Sequence, residues 1–98
     1  MSATKTAPKP KRRKVTFSLT SPDAKEVLLM GDFNRWNPKA HPMKKNKKGI
    51  WEKATFLFPG TYEYRFMVDG HWVNDPENKQ RRANQYGTEN NLIDVKSA

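Results

Sequence analysis

Tyr62-Glu63-Tyr64-Arg65-Phe66-Met67-Val68-Asp69-Gly70-His71-Trp72-Val73 is the stretch on which the fold turns. In an extended chain Tyr62, Tyr64, Phe66 and Val68 fall on one face, and Glu63, Arg65 and Met67 on the other. That is the period of a half-buried strand. Asp69-Gly70 favours the positive φ of a tight hairpin turn, so His71-Trp72-Val73 reads as the short return strand. Arg65 then points away from the aromatic face, toward solvent or a site.

Working outward from this hairpin gives more strands. Pro59-Gly60 is a turn signal, and residues 50–58 before it form a strand containing Trp51, Phe56, Leu57 and Phe58. Trp51 lies inside that run and is expected in the core. Residues 33–49 are polar, with Pro38, Pro42 and Gly49, and read as a long loop leading into a hairpin. Residues 27–30 are continuously apolar, the pattern of a strand in the middle of a sandwich. Ser21-Pro22-Asp23 is a turn, and Val15, Phe17 and Leu19 alternate with Thr16 and Ser18. Past the hairpin, residues 74–90 are polar and irregular, and residues 92–95 form the last strand. No segment has helical apolar spacing. Six or seven short strands punctuated by turns predict an all-β, antiparallel β-sandwich.

Ninety-eight residues suit one small domain. The chain has no cysteine, so disulfides and thiolate metal sites are excluded. Of the formal charge of +9, residues 1–14 supply six through Lys5, Lys9, Lys11, Arg12, Arg13 and Lys14, without an acid. Residues 1–13 are therefore expected to be a disordered basic tail, and residues 14–98 the folded domain, its ordered part ending near residue 96. Lys11-Arg12-Arg13-Lys14 also has the composition of a nuclear-localisation run. Lys44, Lys45, Lys47 and Lys48 form a second basic run. The first residues lack the apolar core of a secretory signal, and no stretch is long enough for a membrane span. The expectation is a soluble, cytoplasmic protein without membrane contact.

Trp36 ends the run Gly31-Asp32-Phe33-Asn34-Arg35-Trp36, and Trp72 follows Val68-Asp69-Gly70-His71. Both stand in polar segments beside turn residues, where an indole offers a flat apolar face to a partner. A sugar ring or a nucleobase matches such a face. Catalysis is disfavoured. His41 and His71 read as plain surface residues without metal-ligand spacing, Asp69 and Asp75 belong to turns, and no cofactor or metal is implied. A basic, aromatic β-domain can also bind nucleic acid, although most of the excess charge lies in the tail.

The chain resembles carbohydrate-binding module family 48. It is most similar there to the glycogen-binding domain of the beta subunit of AMP-activated protein kinase and to the amino-terminal domains of isoamylases and glycogen-branching enzymes. The resemblance is carried by Lys25-Glu26-Val27, the Gly31–Trp36 run, Pro59-Gly60-Thr61-Tyr62-Glu63-Tyr64-Arg65-Phe66, Val68–Trp72, Asp75-Pro76 and Tyr86-Gly87-Thr88-Glu89-Asn90-Asn91, spanning about residues 14–96. It implies an immunoglobulin-like β-sandwich that binds α-glucans such as glycogen, starch and maltooligosaccharides without catalysing a reaction. It further implies that Trp36 and Trp72 stack on glucose rings, with Arg65 assisting where the kinase domain has a lysine. Asn90 would bond sugar hydroxyls, and Thr88 lies in the same loop. Tyr86 stands where the kinase domain inserts a leucine into the ring of glucose units. A kinase or a glycogen-metabolising enzyme is the partner class implied, and a docking domain for such an enzyme is the alternative function.

Overall fold

The computed structural model describes residues 11–96. Eight strands make two antiparallel sheets: β1 (Arg13–Thr20), β2 (Val27–Gly31), β3 (Lys44–Lys45), β4 (Ile50–Leu57), β5 (Gly60–Val68), β6 (His71–Val73), β7 (Arg81–Ala83) and β8 (Glu89–Val95). One sheet has the order β1-β4-β3. The other runs β2-β5-β8-β7, with β6 also pairing with β5. The architecture is the expected immunoglobulin-like β-sandwich. Among the described residues the only helical segment is a 3-10 turn at Asp32–Asn34, and no helix is long and apolar enough to cross a membrane.

The alternation in β5 decides the arrangement. Tyr64 and Phe66 are buried between the sheets, while Glu63 and Arg65 stand on the outer face. Across the core, Phe17 of β1 meets Tyr64 edge-on, with ring centroids 4.9 Å apart. Leu29, Val27, Met43, Trp51, Leu57 and Val95 complete the packing. Trp51 is a core residue as expected, and its indole N–H donates to the Ser21 carbonyl at 2.8 Å. Asp69 and Gly70 adopt positive φ, as the hairpin requires. The Asp69 carboxylate also accepts the backbone N–H groups of Lys25 and Glu26.

Several expectations are corrected. β2 lies at the end of its sheet rather than in the middle of the sandwich. Its free edge is covered by residues 41–43, through Leu29 N to His41 O and Met43 N to Val27 O. Buried on both faces and covered at the edge, it reads as a central strand. The 33–49 loop contains β3, and the 74–90 segment contains β7, because Lys44-Lys45 and Arg81–Ala83 pair with β4 and β8. The last strand begins at Glu89 rather than at residue 92. The disordered-tail expectation falls for residues 1–10 outside the described residues. Arg13, however, already pairs with Leu57 in β1, and the Arg12 guanidinium lies 5.6 Å from the centre of the Phe58 ring.

The fold gathers the basic residues that the sequence spreads over two runs. Lys11, Arg12, Arg13, Lys14, Lys44, Lys45, Lys47, Lys48 and Lys53 belong to the three-stranded sheet and its flanks, against Glu52 alone. The rest of the described chain holds eight basic and nine acidic side chains. The five-stranded sheet is thus close to neutral.

Candidate functional site

The outer face of the five-stranded sheet carries a groove of about 830 Å³, lined among others by Asp32, Trp36, Glu63, Arg65, Trp72, Asn84, Tyr86, Thr88 and Asn90. Every site residue named from the sequence lies in this lining. Three separate pieces of chain supply it, and each is shaped locally.

The first piece is the turn after β2. Trp36 N–H donates to the Gly31 carbonyl at 2.9 Å, closing the turn. Arg35 and Trp36 both sit in the left-handed region, at φ 56° and 58°, a conformation that costs roughly 1–2 kcal/mol per non-glycine residue. The network around them sustains it. Asn34 Oδ1 accepts the Gly31 N–H at 3.1 Å, and the Asn34 amide donates to the Leu29 carbonyl at 2.9 Å. Asp32 fastens the turn to the sheet: one carboxylate oxygen accepts the Trp36 indole N–H at 3.0 Å, the other the Glu63 backbone N–H at 2.9 Å.

Gly31 is extended, so its backbone does not demand glycine. Its surroundings do, since a Cβ there would lie 2.7 Å from the Glu63 carbonyl and 2.8 Å from the Phe33 ring. Gly31→Ala is therefore expected to cost about 1–3 kcal/mol of overpacking, read as a lower midpoint in thermal unfolding.

The second piece is the β5–β6 hairpin. Trp72 pairs across from Met67 and stands on the same outer face as Arg65. Trp72 is 45% exposed, against partial burial for Trp36. The two indoles meet edge to face, 5.9 Å between centroids and 71° between planes. The Arg65 guanidinium lies 5.4 Å from the centre of the Trp72 ring, a cation–π contact. Burial lowers the Arg65 pKa from its ordinary value, and its Nε is buried without an acceptor.

The third piece is the β7–β8 hairpin. Asn84 organises it: its Oδ1 accepts the backbone N–H groups of Tyr86 and Thr88, and its amide donates to Thr88 Oγ1 at 2.8 Å and Asn90 Oδ1 at 3.2 Å. Gly87, at φ 79°, makes the reversal that raises Tyr86 to the tip, where it is 80% exposed. Arg65 donates to Thr88 Oγ1 at 3.1 Å, joining the second and third pieces. Asn90 sits in the floor, donating to Glu63 Oε1 at 3.0 Å. Glu63 also pairs with Arg82 at 3.3 Å.

Sequence reasoning missed Asp32, Glu63 and Asn84 as lining residues. Glu63 was recoverable, because it shares the Arg65 face by period 2. Asn84, in Asn84-Gln85-Tyr86-Gly87, carries the signature of an Asx turn. Nothing local to Asp32 signals that it bridges to β5. His71 is exposed, as expected, but His41 is not a plain surface residue: it is half-buried and bonded on both ring nitrogens, to Asn34 and Thr55. Asp69 and Asp75 are turn residues, as expected, but the Asp75 carboxylate is also buried against the Tyr64 hydroxyl at 2.8 Å. Among the described residues, no three His, Cys, Asp or Glu side chains cluster as metal ligands.

The arrangement suits a neutral ring with a hydroxylated rim. Indole faces give dispersion and weak C–H···π contact to a pyranose face. Arg65, Glu63, Asn90 and Thr88 supply donors and acceptors for the rim.

The chain is similar to several known proteins. The chain is 39% identical over 79 residues to human 5'-AMP-activated protein kinase subunit beta-2, covering 80% of this chain and 28% of that one. It is 38% identical over 82 residues to the rice chloroplastic protein FLOURY ENDOSPERM 6, covering 84% of this chain and 15% of that one. A third relative is the 1,4-alpha-glucan branching enzyme of Prochlorococcus marinus, 33% identical over 94 residues, covering 90% of this chain and 11% of that one. The chain thus spans less than a third of the length of each. A similar solved structure is the maltogenic amylase from S. marinus, with a TM-score of 0.76 at 25% identity, covering 89% of this chain and 14% of that one. Residues 14–98 match the glycogen recognition site of AMP-activated protein kinase, and the chain belongs to that family of carbohydrate-binding modules.

Proposed function

We propose that the groove binds α-glucans (glycogen, starch and maltooligosaccharides) by stacking Trp36 and Trp72 on glucose rings, without performing chemistry on them. The observation that carries this reading is the pair of indoles, brought from the turn after β2 and from β6 to 5.9 Å and set 71° apart over one groove. Faces at that angle follow a curved chain and not a flat ribbon. Arg65, braced by Trp72 and Thr88, Asn90 and Tyr86 serve the ring edges and the next glucose along.

Electrostatics argue against nucleic acid in this groove. Its lining sets the carboxylates of Asp32 and Glu63 beside Arg65, and nine of the seventeen basic side chains among the described residues lie on the other sheet and its flanks. The family relatives include a kinase subunit and a branching enzyme, which supports a kinase or a glucan-active enzyme as the partner class of this chain. A cytoplasmic location stays a proposal alongside it.

The test is co-sedimentation with insoluble starch and glycogen retention, with cellulose as the flat-ribbon control. Retention by the α-glucans and not by cellulose is expected. Retention should be nearly unchanged between about 50 and 200 mM salt, whereas phosphate-driven binding would fall steeply over that range. Equal retention on cellulose, or a steep salt dependence, would overturn the reading.

A further inference from the structure

Behind the Trp36 turn lies a histidine that the binding groove does not use. His41 Nδ1 is 2.8 Å from Asn34 Nδ2, and its Nε2 is 3.3 Å from Thr55 Oγ1. The orientation of the Asn34 amide is not free. Its oxygen accepts a backbone N–H from Gly31, and its nitrogen donates to the Leu29 carbonyl. The group facing His41 is thus the NH2, which can only donate. Nδ1 must then be the bare, accepting nitrogen, and the ring proton sits on Nε2. A second proton on the ring would put N–H against N–H at 2.8 Å. With the ring held by Thr55 and by the edge-on Phe33, relief falls on the Asn34 amide, at the expense of its bonds to Gly31 and Leu29. Those bonds set the turn that carries Arg35 and Trp36 at positive φ.

We infer that His41 is a positioning residue for Trp36, acting through Asn34, and that glucan binding requires the neutral, Nε2-protonated ring. The binding half of this inference rests on the proposed glucan site.

The groups around the ring agree. Phe33 of the 3-10 turn meets it edge-on, 6.0 Å between centroids. β4 presents Thr55 and the Lys53 charge, and β2 holds the His41 main chain, whose carbonyl accepts the Leu29 N–H. Among the described residues no carboxylate hydrogen-bonds the ring to favour a cation. Burial first, and then Lys53, lower the His41 pKa from its ordinary value. The fold thus favours the neutral ring. This contribution is complete above the ordinary histidine range and is lost as the pH falls toward the lowered value.

The experiment compares wild type with His41→Gln, whose amide offers Asn34 an acceptor that does not titrate. Maltoheptaose is titrated by calorimetry between pH 7.5 and 4.5, and the ring nitrogens and indole N–H groups are followed by NMR. The carboxylates of Asp32 and Glu63 are common to both proteins, so the difference between them isolates His41. Wild-type affinity should fall about tenfold more than that of His41→Gln, the scale of one donor left facing a donor. The wild-type Trp36 indole signal should move with the His41 titration. The same pH response in both proteins, an Nδ1-protonated tautomer at pH 7.5, or a Trp36 signal indifferent to His41 would overturn the inference. If maltoheptaose does not bind wild type at pH 7.5, the glucan reading fails. The NMR titration still decides the His41–Trp36 coupling, as it also does if His41→Gln does not fold.

Discussion

Trp72→Ala is expected to weaken maltoheptaose binding by about tenfold or more, a loss within the roughly 1–3 kcal/mol that a nucleobase gains on an aromatic side chain. Trp36→Ala should lie near the lower end of that range. The difference follows from what each indole supports. Trp72 is the more exposed ring and also covers the Arg65 guanidinium. Its loss removes a stacking face and frees Arg65 from the position in which it bonds Thr88. Trp36 gives its indole N–H to Asp32 and makes no contact that fixes Arg65 on Thr88, so in the proposed site its loss removes a stacking face and leaves the Arg65 arrangement in place. Trp72→Phe should recover part of the affinity, and Tyr86→Ala should cost less than either tryptophan, since its ring stands free at the hairpin tip. Neither tryptophan belongs to the core cluster, so circular dichroism and thermal midpoints should stay close to wild type. Calorimetric titration of the folded variants checks this; undiminished affinity in both tryptophan variants would sink the site.

What could be read from the sequence followed from which residues have two different faces. Tyr62 to Val68 announces itself because burial alternates with exposure along it, and the same holds for Val15 to Leu19. β3 and β7 give no such sign: all their residues are exposed, and they exist as strands because β4 and β8 offer them edges to pair with. The tryptophans were legible through their polar settings. Asp32 was not legible as a brace, because its second partner, the Glu63 backbone, lies 31 residues away. His41, between Ala40 and Pro42 in a segment without periodicity, looks like a surface residue. It is half-buried because strand β4 brings Thr55 against it, 14 residues on. The charge followed the same rule. Lys14 closes a basic run in the sequence, but in the fold it shares a surface depression with Lys44 and Lys53, because β1 and β3 flank β4.

Asn91→Ala is expected to destabilise the domain by about 3 kcal/mol or more, the sum of several buried groups left without partners at roughly 1–3 kcal/mol each. Asn90 and Asn91 are neighbours with opposite tasks, because a strand sends them to opposite faces. Asn90 turns to the groove. Asn91 turns inward, opposite Tyr64, and is fully buried. Its oxygen accepts the Asp75 N–H at 2.7 Å and the Asn74 amide at 3.0 Å. Its nitrogen donates to the carbonyls of Asp75 and Asn78 at 3.2 and 2.9 Å. One side chain thereby ties the 74–78 segment to β8, and that segment brings Asp75 and Asn78 to the buried Tyr64 hydroxyl at 2.8 and 3.0 Å. Alanine would strand the Asp75 N–H and the carbonyls of Asp75 and Asn78, while the Asn74 amide keeps the Glu89 carbonyl, and would loosen the seat of Tyr64, which packs on Phe17 of the opposite sheet. For a domain of this size each kcal/mol moves the melting temperature by about 4–8 °C, so a drop of about 12 °C or more is expected. Asn90→Ala should change the midpoint much less and weaken glucan binding instead. Melting curves of the two variants, beside maltoheptaose titration of the folded one, separate the roles; equal midpoints would show that the buried amide network does not hold the 74–78 segment in place.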